Sequence, residues 1–218
     1  MTGDGGTPGG RERYLVFDTE TTGLPVDWRA PASRLDNWPR LVQLAWLLCD
    51  SGGRPLDRRT STVRPDGFEI PAAATRVHGI TTAQAARDGL PLHEVLTGFS
   101  AAIDRSQLLI AHNVSYDRKV LGAEYLRAGL ASRLMSMPSL CTMEASTEYC
   151  AIPGPRGFKW PSLSQLHSCL LGRGLERAHS AEADVDACAA CFFELRRLGV
   201  LTLPATLPGP LSVFPEET

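Results

Sequence analysis

The chain has 218 residues, of which 43% are hydrophobic and 21% are charged, and its formal net charge is −2 at pH 7. This length suits one domain, the composition excludes wholesale disorder and fibrous structures, and the near-neutral charge disfavours a partner held by bulk positive charge alone. The longest apolar run, residues 41–49, is interrupted by Gln43 and falls short of the roughly 18 residues that span a bilayer, so we expect no membrane partner.

Three strands are predicted in the first third of the chain, at residues 13–18, 41–49 and 54–63. Each is a short apolar or alternating run with β-branched or aromatic residues. The Asp-Ser-Gly-Gly turn at residues 50–53 predicts that the second and third strands form a hairpin. Residues 21–37, which contain Gly and Pro, are predicted to form a loop.

The rest of the chain alternates between predicted helices and strands. Apolar spacing predicts helices at 72–77, 82–87, 92–103, 115–128, 164–171 and 181–198, and strands at 107–111 and 134–141. This order indicates an α/β fold with a mixed sheet. We expect one domain at residues 13–204, between flexible tails at residues 1–12 and 205–218.

Four acidic residues lie at the ends of these elements. Asp18 and Glu20 are two apart at the end of the first strand, on one face; Asp117 follows the fourth strand, and Asp184 begins the last helix. Carboxylates held together repel each other unless a cation lies between them. Oxygen ligands without a matching Cys/His set favour Mg²⁺ or Mn²⁺. His179 lies five residues before Asp184, and its ordinary pKa suits proton transfer at neutral pH.

Each segment alone has a simpler interpretation. A lone DTE sequence is typical of a solvated turn, a lone HN sequence of a helix cap, and a lone HxxxxD sequence of a solvated helix face. Spacing by itself does not bring the segments together in space.

Four segments taken in order resemble the motifs of a known family: FDTETTGL, VHGIT, AHNVSYD and HSAEADVDA. They are similar to the DEDDh-type 3′–5′ exonucleases, which use four acidic residues and a histidine and include the epsilon proofreading subunit of bacterial DNA polymerase III, RNase T and oligoribonuclease. The resemblance extends over about residues 13–198. Ser180 stands where a sister subclass has tyrosine. The implied fold is ribonuclease H-like, with a five-stranded mixed sheet flanked by helices.

The resemblance implies a role for each acidic residue and for the histidine. Asp18 would bridge two Mg²⁺ or Mn²⁺ ions, and Glu20 and Asp184 would complete the tighter metal site. Asp117 would hold the second ion. His179 would act as the general base, so that His179 and Glu20 are the predicted catalytic residues.

The resemblance also implies substrate contacts. The loop after the second acidic residue would approach the terminal nucleotide; its members are Thr21, Thr22, Gly23 and Leu24. His78 would line the nucleotide pocket, or else simply end a helix before Gly79. Asn113 would contact the substrate, or else cap a helix. Both alternatives stay open at this point.

Two further segments are candidates for a substrate rim. Residues 25–38 form an insertion longer than the loop of many relatives and, with adjoining Arg40, contain Trp28, Arg29, Arg34 and Trp38. Residues 156–160 combine two cations with Phe158 and Trp160. The alternative for both is solvated charge around an apolar anchor.

The implied activity is metal-dependent 3′–5′ hydrolysis of terminal DNA phosphodiesters, releasing nucleoside 5′-monophosphates in proofreading, replication or repair. The partner would be nucleic acid with a free 3′ end, single-stranded or frayed. The same chemistry on RNA is an alternative, and so is a module associated with a DNA polymerase or sliding clamp, since residues 210–214 (PLSVF) loosely resemble a clamp-binding peptide that lacks its leading glutamine. Six cysteines in mostly apolar stretches, with no apolar signal segment, predict a cytoplasmic location.

Overall fold

A computed structural model describes residues 12–175 and 180–203. Its main sheet contains β1 (Arg13–Thr21), β2 (Leu41–Asp50), β3 (Pro55–Thr62), β4 (Leu108–Ala111) and β5 (Ser139–Cys141), in the order β3-β2-β1-β4-β5. β2 pairs antiparallel with both β1 and β3, whereas β4 pairs parallel with β1 and with β5. The five-stranded mixed sheet that the sequence predicts is therefore confirmed, with β1 at its centre.

Helices cover both faces of this sheet. They are α1 (Ala72–His78), α2 (Thr82–Asp88), α3 (Leu92–Asp104), α4 (Val114–Arg127), α5 (Thr142–Ala145), α6 (Thr147–Cys150), α7 (Leu163–Leu171) and α8 (Ala181–Arg197). A separate hairpin pairs β6 (Pro153–Gly154) with β7 (Gly157–Phe158). Within residues 12–175 and 180–203, no helix has the length and apolar character needed to cross a membrane.

The side chains of β1 alternate between two hydrophobic cores. Leu15 and Phe17 belong to a core that includes residues of α3 and α4. Tyr14 and Val16 belong to a second core that includes residues of α8. Burying such a side chain stabilises the fold by about 1.5–3 kcal/mol, so both faces of β1 hold their helices firmly. The same alternation continues into the acidic segment at the end of the strand.

Most predicted elements agree with the structure to within one residue at each end. β1 is an exception, because it runs three residues past Asp18 and so places Glu20 inside the strand. β5 is shorter than predicted, since Leu134 and Met137 are buried in turns before it. The two four-residue helices and the short hairpin were not predicted because such brief elements carry no periodic signal. The predicted tails fall almost entirely outside the described residues and stay predictions.

Long-range contacts hold the insertion at residues 25–38 in place. Nζ of Lys119 donates to the carbonyl of Trp28 at 2.8 Å, and Arg127 donates to the carbonyl of Trp38 at 2.7 Å. The indole of Trp38 donates to the carbonyl of Pro31 at 3.0 Å, and only 3% of this residue is exposed. The prediction that Trp38 lies on a substrate rim is therefore wrong, because this side chain is part of the core.

Arg40, another predicted rim residue, is also used inside the fold. Its Nε lies 2.9 Å from Oε1 of the buried Glu124, which also accepts from the amide of Leu41 at 2.9 Å and lies 3.0 Å from Arg127. The backbone of Arg40 pairs with Thr22: its amide donates to the Thr22 hydroxyl, and its carbonyl accepts from the Thr22 amide, both at 2.9 Å. Glu124 therefore secures the segment that follows the acidic pair.

Candidate active site

Three of the predicted acidic residues meet between β1 and α8. Even-numbered residues of β1 face α8, so Asp18 and Glu20 lie on the side where Asp184 occupies the first turn of that helix. One carboxylate oxygen from each of the three residues lies within 4.8 Å of the other two. Packing of the helix on the strand therefore brings together residues that are more than 160 positions apart in sequence.

The fourth acidic residue, Asp117, reaches the cluster from the opposite face of β1. Thr19 is odd-numbered and faces α4, where Asp117 lies in the first turn. The amide and the hydroxyl of Thr19 both donate to Oδ1 of Asp117, at 3.1 and 2.6 Å. Only 3% of Asp117 is exposed. β1 thus carries Asp18 and Glu20 on the side of α8. Thr19, between them, holds Asp117 of α4 on the other side.

Burial and mutual repulsion make the cluster a strong attractor of positive charge. Burial raises the pKa of Asp18 well above its usual range, and the charges of Asp117, Asp184 and Glu20 raise it further. Burial, then Asp184 and Asp117, raises the pKa of Glu20 to about 7. Burial raises the pKa of Asp117 to about 7 against the opposing hydrogen bonds from Thr19. Protons or a divalent cation must therefore offset these charges at neutral pH, and hard carboxylate oxygens suit Mg²⁺ or Mn²⁺.

A pocket of about 390 Å³ adjoins the acidic residues. Its lining includes Glu20, the predicted substrate loop at residues 21–24, and residues 73, 74, 77 and 78 of α1. Leu24 is 72% exposed, so it is not part of the core. A Cβ added to Gly23 would meet no atom within 4 Å, so the backbone there is open to a ligand. The site therefore combines an acidic centre with an open, partly apolar pocket.

The side chains of Thr21 and Thr22 have internal partners. The hydroxyl of Thr21 donates to the carbonyl of Gly23 at 2.8 Å and lies 2.6 Å from the hydroxyl of Tyr116. The hydroxyl of Thr22 accepts from the amide of Arg40. These two residues therefore shape the loop, because both hydroxyls are held by hydrogen bonds within the protein.

Sequence reasoning did not identify Tyr116 or Thr19 as site residues. Tyr116 lines the pocket, and its hydroxyl lies 2.8 Å from the carbonyl of Gly23. Burial raises the pKa of this hydroxyl, so it stays protonated. The sequence carried one signal for each residue. Tyr116 stands directly before Asp117, and Thr19 stands between Asp18 and Glu20.

His78 lines the pocket, and its contact with a nucleotide stays a prediction. Its Nδ1 accepts from the amide of Ile80 at 3.1 Å. Its Nε2 is buried and has no hydrogen-bond partner among the described residues. Burial lowers the pKa of His78, with the backbone of Thr21 opposing, so the ring is neutral at physiological pH. The ring therefore forms part of the pocket wall.

Asn113 is the N-cap of α4, but it does not cap the helix in the usual way. Its backbone is left-handed, with φ 71° and ψ 47°, and its side chain makes no capping hydrogen bond. Asn tolerates this conformation better than most residues do. What Asn113 supplies to the fold is therefore a backbone turn, and its contact with substrate stays a prediction.

Two further predictions concern His179 and the segment that contains Phe158 and Trp160. His179 lies outside the described residues, so its role as general base also stays a prediction. Phe158 and Trp160 are exposed on the hairpin side of the fold, where their role in binding is untested.

Four acids therefore lie around the central strand of a mixed sheet, beside a pocket. The chain belongs to the RNase_T exonuclease family, whose sequence model matches residues 15–192. That range contains the four acidic residues and the pocket-lining segments. Membership of this family makes the chain a nuclease-family protein with a ribonuclease H-like fold.

Individual relatives agree with this assignment. The chain is 34% identical over 209 residues to a DNA polymerase III subunit epsilon-like protein of Rhodobacter capsulatus, covering 95% of this chain and 26% of that protein. It is 28% identical over 208 residues to three-prime repair exonuclease 1 of Homo sapiens, covering 82% and 62% of the two chains. The chain therefore spans less than two thirds of either relative.

A solved structure shows the same fold. E. coli Exonuclease I in complex with a dT13 oligonucleotide superposes with a TM-score of 0.68 at 20% identity. The match covers 86% of this chain and 42% of that one.

Proposed function

We propose that this protein is a metal-dependent 3′–5′ exonuclease that hydrolyses the terminal phosphodiester of DNA and releases nucleoside 5′-monophosphates. The observation that carries the proposal is the meeting of Asp18, Glu20 and Asp184 within 4.8 Å, beside a pocket of about 390 Å³. Such a volume suits one nucleotide. The relative named a three-prime exonuclease and the oligonucleotide complex of Exonuclease I support the polarity and the substrate.

The four carboxylates would hold two Mg²⁺ or Mn²⁺ ions. Their oxygens are hard ligands. The pKa values of Asp18, Glu20 and Asp117 are raised because negative charge is unfavourable in this buried site, and a divalent cation would offset that charge. When bound, the ions supply positive charge to the attacking and leaving oxygens of the phosphoryl displacement. Asp18, Glu20 and Asp184 form the closest set, and Thr19 orients Asp117 as the fourth ligand.

The reaction needs a water oxygen to attack the terminal phosphorus while the bond from phosphorus to the preceding 3′ oxygen breaks. His179 would take the proton from that water, and a proton returns to the 3′ oxygen of the shortened strand. The backbone of residues 22–24 would receive the terminal sugar, with Leu24 against the base. Because the terminal base must leave its stack to enter the pocket, single-stranded or frayed ends are preferred.

The location we propose is the cytoplasm. All six cysteines are free, although the thiols of Cys150 and Cys169 are hydrogen-bonded neighbours. Cysteines that form no disulfide suit a reducing compartment.

A role in proofreading or repair, with a polymerase or sliding clamp as partner, is a further part of the proposal. The epsilon-like relative supports it by its name. The segment at residues 210–214 lies outside the described residues. Deleting residues 205–218 and measuring clamp binding tests this part, since unchanged binding would discard the clamp-binding peptide.

The activity itself is tested with 5′-labelled DNA and RNA oligonucleotides of one sequence, incubated with Mg²⁺, Mn²⁺ or a chelator. We expect a ladder of DNA products shortened from the 3′ end, which the chelator and Asp184→Asn both remove. A ladder on RNA alone would replace DNA by RNA as the substrate. Absence of products from the wild-type protein with either metal would overturn the proposal.

A further inference from the structure

An exposed apolar strip leads away from the pocket. Alternate residues of the loop after β1 point large apolar side chains into solvent: Leu24 is 72%, Val26 is 89% and Trp28 is 50% exposed. Leu24 lines the pocket, and Val77 of α1, also exposed, lines it too. A group of large apolar side chains that stays exposed beside a pocket marks a binding surface.

Trp28 contacts the wall of the pocket directly. Its ring centroid lies 5.6 Å from that of Tyr116, with the ring planes tilted by 42°. Tyr116 lines the pocket and holds the carbonyl of Gly23. One aromatic residue therefore separates Trp28 from the space proposed for the terminal nucleotide.

The backbone around Trp28 is held in one position although the side chain is half exposed. Lys119 donates to the carbonyl of Trp28 at 2.8 Å. The amide of Asp27 donates to Oδ1 of Asn37 at 2.7 Å, and Nδ2 of Asn37 donates to the carbonyl of Asp27 at 3.0 Å. A rigid aromatic ring loses little conformational entropy on binding, so this position is prepared for a ligand.

The chemistry of this surface fits a nucleobase. Its exposed side chains are aromatic or aliphatic. The ammonium of Lys119 is bonded to the Trp28 carbonyl, so it holds the backbone of this surface in place. Bases of every sequence stack on aromatic rings, with a contribution of about 1–3 kcal/mol per base.

We infer that Trp28 stacks on the nucleobase next to the terminal one, so that the insertion at residues 25–38 gives this chain a second base-binding position. The inference rests on the proposed function. It makes Trp28 a substrate-binding residue that favours single-stranded ends, because the faces of a base inside a duplex are covered by its stacked neighbours.

The test uses single-stranded DNA with one abasic site at the terminal, second or third position from the 3′ end. We measure kcat and KM for wild type, Trp28→Ala and Trp28→Phe, and for Tyr149→Ala as an exposed aromatic outside the insertion. On intact DNA we expect Trp28→Ala to raise KM roughly 5- to 150-fold with little change in kcat, and Trp28→Phe to restore most of the loss. The second-position abasic site should raise KM in wild type and have little further effect in Trp28→Ala.

Melting temperatures identify any variant that fails to fold, and Trp28→Leu replaces Trp28→Ala if that variant does not fold, because leucine also lacks a stacking ring. Equal responses of wild type and the folded variant without an aromatic ring to every abasic site would overturn the inference. The inference would also be overturned if Trp28→Ala removed the effect of the terminal abasic site on KM and not that of the second-position site. Activity of wild type on intact DNA keeps either result distinct from a failure of the proposed function.

Discussion

The hydroxyl of Thr19 lies 2.6 Å from Oδ1 of Asp117, and this bond joins the two halves of the acidic site. Thr19 belongs to the central strand, whereas Asp117 belongs to α4, 98 positions later. Because the bond favours the charged form, it lowers the pKa of Asp117 against the effect of burial. An unremarkable threonine between two acids thus orients a third.

Replacing Thr19 with Val removes this hydroxyl but keeps the shape of the side chain and the backbone hydrogen bond. We expect metal affinity to fall by about 10- to 100-fold, the usual effect of losing a partner of a metal ligand. The pKa of Asp117 should rise further. Titration with Mn²⁺ measures the affinity, and Thr19→Ser, which keeps the hydroxyl, should bind as wild type does. Equal affinity of the Val and Ser variants would contradict the role given to the hydroxyl.

Asp18→Asn and Asp184→Asn should separate function from stability. We expect each to lower nuclease activity by more than about 100-fold. This loss is larger than that caused by removing a residue that only hydrogen-bonds a metal ligand. In chelator, each should melt at the same temperature as wild type or higher, because one source of repulsion is gone. Thermal melting with and without Mg²⁺ provides the comparison. A large fall of the melting temperature in chelator would instead mark these carboxylates as structural.

The metal-free protein should become less stable as the pH rises from about 4 to about 7. Glu20 and Asp117 have folded-state pKa values of about 7, above their ordinary values of 4.5 and 3.8. In this range the folded state binds more protons than the unfolded state, so raising the pH favours unfolding. Urea unfolding at several pH values in chelator measures this. The double variant Glu20→Gln, Asp117→Asn should show a weaker dependence, and an unchanged slope would rule these residues out as its source.

His179→Ala should lower kcat by about 10²- to 10⁴-fold, the range for loss of a general base. KM should change little, because the residue is assigned a role only in the transition state. Steady-state kinetics across pH 5–9 measures kcat and KM separately. The fall in kcat at acidic pH, which protonation of a general base causes, should disappear in the variant. Full activity of the variant would move the general base elsewhere.

Asn113→Gly and Asn113→Ala distinguish a backbone role from a substrate contact. Glycine adopts φ 71° freely, whereas alanine in this region costs about 1–2 kcal/mol. We therefore expect Ala to lower stability and Gly to preserve it. If the side chain also contacts the substrate, both variants should raise KM; an unchanged KM in Asn113→Gly would leave Asn113 with its backbone role alone.

Much of the fold and part of the site follow from local patterns. The alternation along β1 decides which of its residues share a face, and helical spacing in α4 and α8 places Asp117 and Asp184 in first turns. These are properties of three or four neighbouring residues. The sequence by itself therefore determined the order of elements and the mixed sheet, and the resemblance of its ordered motifs to a known family singled out the four acids.

Only the tertiary structure decided which side chains of the insertion are exposed. Trp28 and Trp38 lie in the same loop with similar neighbours, yet one is half exposed beside the pocket and the other is buried. Trp38 packs in the core and its indole donates to the carbonyl of Pro31, whereas the ring of Trp28 lies against Tyr116 at the edge of the pocket. Exposure in a loop depends on such distant partners, whereas the period of a strand or helix is set by its own backbone.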